Sequence, residues 1–203
     1  MIDVKQIVEL QRAAVVRWHA EPVDNLYEDF LGLVCQQHSF NYLLWHEEDI
    51  ARSPDAADAT IAAVKRAIDG YNQQRNDAIE KLDDWLVEQL HSSSVVAEAG
   101  ARLNTETPGS AIDRLSIISL RIFHMDEQSH RSDATLGHRA KARSRLEVLV
   151  RQQHDLSLAL ADLLEDIFAG RKRLEVYRQF KMYNDPTLNP YLYGAGNKDK
   201  AVG

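Results

Sequence analysis

Arg75 is the residue whose chemistry most needs an explanation. At about 100° per residue it falls in the middle of an apolar stripe formed by Ile61, Val64, Ile68, Ile79, Leu82 and Leu86, with Asn72 beside it and Asn76 and Asp83 at one edge. A guanidinium there needs a carboxylate, a set of acceptors or an anionic ligand, because an unpaired buried charge costs several kcal/mol. A second stripe, Phe30, Leu31, Val34 and Trp45, carries His38, Asn41, Glu48 and Asp49 in the same arc. Folding the two helices back on each other about Pro54 brings His38 and Asn41 level with Asn72 and Arg75, so the four are expected to share one pocket. One imidazole, one guanidinium and two or three amides suit an anion or a sugar-like polyol better than a divalent cation, which takes more carboxylates. The expected roles are charge pairing for Arg75, hydrogen bonding for Asn41, Asn72 and Asn76, and hydrogen bonding or proton transfer for His38, the one catalytic candidate. The same groups also read as a structural network that fixes helix register.

Glu48 cannot join His38 on one metal ion, since ten residues of helix separate them by about 15 Å. A different acidic set offers a runner-up: Glu28 comes level with Glu80 and Asp83, whose spacing puts two carboxylates one turn apart, as a Mg²⁺ site on paired helices requires. Mg²⁺-dependent hydrolysis of a nucleotide or phosphate ester is the activity that set would serve, and all-helical nucleotide pyrophosphohydrolases use acidic helix pairs of this general kind, although their full first-helix glutamate set is not found here. A solvated acidic rim is the plainer reading of these three residues. Asp113 and His124 share a side of another helix but stand about 16 Å apart along it, too far for a dyad. His46 reads as solvated surface, Asp113 as a capping residue, and the backbone after Gly109 as a weak candidate for holding an anion at a helix N-terminus. No P-loop, G-x-G-x-x-G, H-E-x-x-H, C-x-x-C or G-x-S-x-G is present.

Apolar residues recur at three- and four-residue spacing almost throughout, without sustained alternation, which predicts an all-α protein: an antiparallel bundle of about five long helices with a partly irregular C-terminal tail. The spacing predicts helices over 2–20, 25–52, 58–90, 110–131 and 136–169. Asp58 is expected to cap the third, Ser110 with Asp113 to form a capping box on the fourth, and Gly170 to end the fifth in a left-handed turn. The fourth is apolar almost all round and should be central. One domain spans 1–193; the tail should start helical, turn at Asn184-Asp185-Pro186 and be disordered over 194–203.

With 203 residues, 44% hydrophobic and 27% charged, the chain is long enough to build a core without a metal or cross-link. Its net charge of -7 argues against nucleic acid as a partner. From Arg171 onward basic residues outnumber acidic ones seven to three, as expected of a tail that folds back on an acidic body. Nothing is long and apolar enough for membrane insertion, and a single cysteine, Cys35, suits the cytoplasm.

Four segments carry a family resemblance: HSFNYLLWHEED (His38 to Asp49), NQQRNDAIEKLD (Asn72 to Asp83), ETPGSAIDRLSI (Glu106 to Ile117) and YRQFKMYNDPTLNPY (Tyr177 to Tyr191). Together they resemble the bacterial family of domain of unknown function 4254 over nearly the whole chain. The resemblance implies an all-helical bacterial protein of about this length, with no assigned activity, in the setting of envelope polysaccharide metabolism. The expectation carried forward is a small anionic or sugar-phosphate-like ligand in an interior polar pocket, with the Mg²⁺-dependent hydrolase and a non-catalytic partner or scaffold protein as alternatives, and a homodimer as a compatible assembly.

Overall fold

A computed structural model describes residues 2–178 and 187–188. Five helices, α1 (Val4–Trp18), α2 (Asp29–Ala51), α3 (Asp58–Ser92), α4 (Pro108–His130) and α5 (Leu136–Phe168), form an all-α bundle, joined by two short strands, β1 (Arg102–Leu103) and β2 (Lys172–Arg173). The helices α2 and α3 pack as one hairpin and α4 and α5 as another, with α1 lying across α2, α4 and α5. Helix α4 touches all four others, as its nearly all-round apolar sequence predicts.

Every helix supplies apolar residues to the core: Ile7, Leu10, Ala14 and Trp18 from α1, Val34, Cys35 and Tyr42 from α2, Leu82 and Leu86 from α3, Ile112, Leu115 and Leu120 from α4, Leu160 and Leu164 from α5. A smaller cluster of Leu44, Val64 and Ile68 closes the α2–α3 hairpin near its turn.

The helix ends show what terminates each periodic run. Asp3 accepts a hydrogen bond from the Lys5 amide at the start of α1, and Thr135 from the His138 amide at the start of α5. Helix α2 begins four residues later than its pattern predicts. Asn25 there accepts from the Tyr27 amide and donates to the Gly32 carbonyl, and Asp24 is held by Arg17 and Trp18, so 22–28 runs as a strap over the end of α1. Asp58 is the first helical residue of α3 instead of its cap, where its charge still complements the helix dipole. Thr107, not Ser110, caps α4, with Pro108 following, and Asp113 is a full turn inside the helix.

Gly170 ends α5 with φ +76°, the left-handed conformation its position requires. The next residues are not helical as expected but extended: Lys172 and Arg173 pair in parallel with Arg102 and Leu103, and the Glu98 amide donates to the Gly170 carbonyl. The basic segment does fold back on acidic surface, Arg171 onto Glu165 and Asp166, and Arg178 onto Glu80 and Asp84. The expected turn at Asn184-Asp185-Pro186 and the disorder over 194–203 lie outside the described residues.

Candidate functional site

Asp113, one turn into α4 and only 4% exposed, is the carboxylate that Arg75 requires. Arg75 Nε donates to Oδ1 at 2.7 Å and Nη2 to Oδ2 at 2.6 Å, a bidentate pair between α3 and α4. From α2, Gln37 Nε2 (2.6 Å) and Asn41 Nδ2 (2.9 Å) also donate to Oδ1. Asn41 donates as well to Ser116 Oγ at 2.8 Å, one turn further along α4. The Asp113 hydrogen bond to Arg75 is the chief influence holding the guanidinium charged, against a smaller opposing effect of burial. The expectation that Asp113 merely caps α4 is therefore wrong: the Ser110-x-x-Asp113 spacing imitates a capping box, while the side chain points into the core.

His38 lies one layer deeper. Its Nε2 faces the Gln11 carbonyl at 2.9 Å, which can only accept, so Nε2 carries the proton and Nδ1 accepts from Ser116 Oγ at 2.6 Å. Burial lowers the imidazole pKa to about 3, opposed by the Gln11 carbonyl. A neutral ring, 0% exposed and bonded at both nitrogens, fixes helix register. The role expected of His38 would fall to this enclosed ring, whose two nitrogens are already engaged by Ser116 and Gln11. The chain of contacts continues from Gln11 to Ser119 Oγ and from there to Gln153 Nε2, so one buried polar network crosses all five helices.

Asn41, Asn72 and Arg75 do meet, in the wall of a cleft of about 400 Å³ between α2, α3 and α4 that Trp45 and Arg121 also line. At its edge Glu48 pairs with Arg52 at 2.8 Å. Arg75 is neutralised by Asp113 and Arg52 by Glu48, which leaves the exposed Arg121 as the surplus positive charge of the lining. Asn76 is half-buried and does not line this cleft.

The acidic set expected to hold Mg²⁺ is not assembled. Glu28 is exposed at the start of α2, Glu80 is paired with Arg178, and Asp83, only 2% exposed, accepts from the Gly109 amide at 2.7 Å. Burial raises the pKa of Asp83, with the Thr107 hydroxyl and the Gly109 amide opposing it. The N-terminus of α4 is thus occupied by the protein's own Asp83 side chain.

Three histidines instead converge at the other end of the network. His19 caps the C-terminus of α1, His46 sits one turn after Tyr42 on α2, and His124 one turn after Leu120 on α4. One ring nitrogen from each lies within 4.8 Å of the other two, and no other group of three His, Cys, Asp or Glu residues does so among the described residues. His46 is half-buried, not solvated as its sequence suggests; burial lowers its pKa first, and its two histidine neighbours lower it further. Each of the three extends a core stripe by one turn, a signal the sequence does carry.

The fold and these sites define an all-helical protein held together by a five-helix polar network, with a cleft on one side. The family described as protein of unknown function, DUF4254, matches residues 31–176, and the chain belongs to that family. No curated protein and no solved structure matches the chain.

Proposed function

We propose that the protein binds a small anionic, sugar-phosphate-like ligand in the cleft between α2, α3 and α4. The observation that carries this reading is the unbalanced Arg121 facing the same space as Arg75, Asn41 and Asn72. Arg75 gives only Nε and Nη2 to Asp113, so it can serve both the network and a ligand oxygen through Nη1. Asn72 offers a donor and an acceptor for hydroxyl groups, and Trp45 an apolar face against which a sugar ring can lie. Because one positive charge is in surplus, a phosphate monoester on a neutral polyol suits the cleft better than a polyanion. A reducing cytoplasm suits the buried thiol of Cys35, and a phosphorylated sugar agrees with a setting in envelope polysaccharide metabolism.

Titration with inorganic phosphate and with glucose 1-phosphate, followed by the Nε–H NMR signals of Arg75 and Arg121, tests the proposal. Saturable shifts with the sugar phosphate are expected, weakened about tenfold in Arg121→Gln at unchanged melting temperature. The absence of any saturable shift up to about 10 mM ligand overturns it.

A further inference from the structure

We propose that His19, His46 and His124 form a binding site for a late first-row divalent metal ion, Zn²⁺ foremost, through the ring nitrogens that their hydrogen bonds leave free. Two of the rings are already oriented as metal-bound imidazoles are. His19 Nδ1 donates to the Val15 carbonyl at 2.7 Å, and His124 Nδ1 donates to Glu127 Oε2 at 3.0 Å. Such bonds fix the tautomer and turn the Nε2 lone pair outward, and they are the usual outer-shell partners of metal-ligating histidines. Stacking holds the ring planes: His19 lies on Phe123 at 4.2 Å and His124 on Trp45 at 4.6 Å, tilted by only 8°.

His46 Nε2 and His124 Nε2 are both shielded from solvent and have no hydrogen-bond partner. Buried polar atoms are rarely left so in folded proteins, and two such atoms in one cluster point to a shared occupant. A cation satisfies both at once. Three nitrogens bound to one Zn²⁺ stand about 3.3 Å apart, so from within 4.8 Å the rings close on the ion by modest side-chain rotation. Three imidazoles and no carboxylate in the cluster select Zn²⁺ or its neighbours over Mg²⁺ and Ca²⁺, which require oxygen. The ion has a route in, because His19 is exposed, and three protein ligands leave a fourth position for water. Asp49 and Glu127, both close enough to act on His46 electrostatically, offset part of its charge.

The test is direct Zn²⁺ titration of the full chain after dialysis against a chelator, read by competition with a chromophoric chelator, with the visible spectrum of the Co²⁺ form as a second readout. One ion per chain with a Kd below about 1 μM is expected. Binding should weaken about a hundredfold or more in His46→Gln and in His19→Gln, and about tenfold in Glu127→Gln, which keeps the ligands and loses only their orientation. His19 is exposed, so its variant reports on binding even where His46→Gln perturbs folding. Wild-type affinity in the folded histidine variants, or no wild-type binding tighter than about 100 μM, overturns the proposal.

Discussion

Arg75 and Asp113 hold each other through two parallel N–H···O bonds across the interface of α3 and α4, thirty-eight residues apart in sequence. The carboxylate is almost completely buried and the guanidinium about a quarter exposed, so the two partners are unequal: removing the arginine strands a charge in the core, with only Gln37 and Asn41 left to satisfy it. Arg75→Leu is expected to destabilise the protein by about 3 kcal/mol, the low end for a broken buried pair because the arginine is partly hydrated. That corresponds to a fall in Tm of about 10 °C for a chain of this size. Joining it to Asp113→Leu should recover most of the loss, which thermal unfolding of the two variants and the double variant measures.

Gly109 and Gly70 should respond to alanine with opposite signs. A Cβ at 109 would stand 2.7 Å from the Ile79 carbonyl oxygen and 2.8 Å from Asp83 Oδ1, both on α3, so Gly109→Ala is expected to destabilise by about 1–3 kcal/mol. At Gly70, inside α3, a Cβ meets nothing within 4 Å, and Gly70→Ala should stabilise by up to about 1 kcal/mol through helix propensity alone. Urea unfolding of the two variants distinguishes close helix packing from a general intolerance of substitution.

The pKa of His38, about 3 against an ordinary 6.5, means that between these values the unfolded chain binds a proton the folded chain refuses. Stability should therefore fall as the pH drops through that window, by up to about 1.4 kcal/mol per pH unit from this group. Asp83 acts in the opposite sense: burial raises its pKa, so just above 3.8 the folded chain keeps a proton that the unfolded chain has released. The difference in slope between wild type and His38→Gln isolates the imidazole. In NMR, the His38 ring signals should stay unchanged from pH 7 to about pH 4.

Cys35 is fully buried, and burial pushes its thiol up to about 11. In the folded protein it should resist a thiol-specific disulfide reagent at about pH 8 and react promptly once denatured. Equal rates in the two states would mean that α2 opens readily at this position.

Helix type, number and pairing were legible because apolar residues recur at three- and four-residue spacing through α1, α3, α4 and α5, α2 is apolar over much of its length, and the two hairpin turns carry Pro54 and the capping Thr135. The meeting of Asn41, Asn72 and Arg75 followed from levelling two helices about Pro54. Asp113 was hidden by an accident of spacing: three residues after Ser110 it satisfies a capping rule, and nothing local reveals that its partners are Gln37, Asn41 and Arg75 on two other helices. Glu80 and Asp83 share a helix turn, but the tail's Arg178 claims one and the backbone of α4 the other, two long-range facts that a single helix cannot show. The histidine cluster escapes a reading of the sequence for a different reason. His19, His46 and His124 each lie one turn beyond the obvious apolar run of a separate helix, where a stripe is normally expected to end in solvent.

The two-residue ladder between β1 and β2 closes the chain into a ring whose circumference is the α4–α5 hairpin. Its fastening is slight, a few main-chain bonds beside the carbonyl of Gly170, yet it ties the two ends of that hairpin to each other. With the clasp shut, α4 and α5 have to move together, carrying Asp113, Ser116 and His124 as a set. With it open, the two ends of the hairpin are free to part, while the packing of α4 on α1, α2 and α3 keeps the network, the cleft and the histidine cluster together.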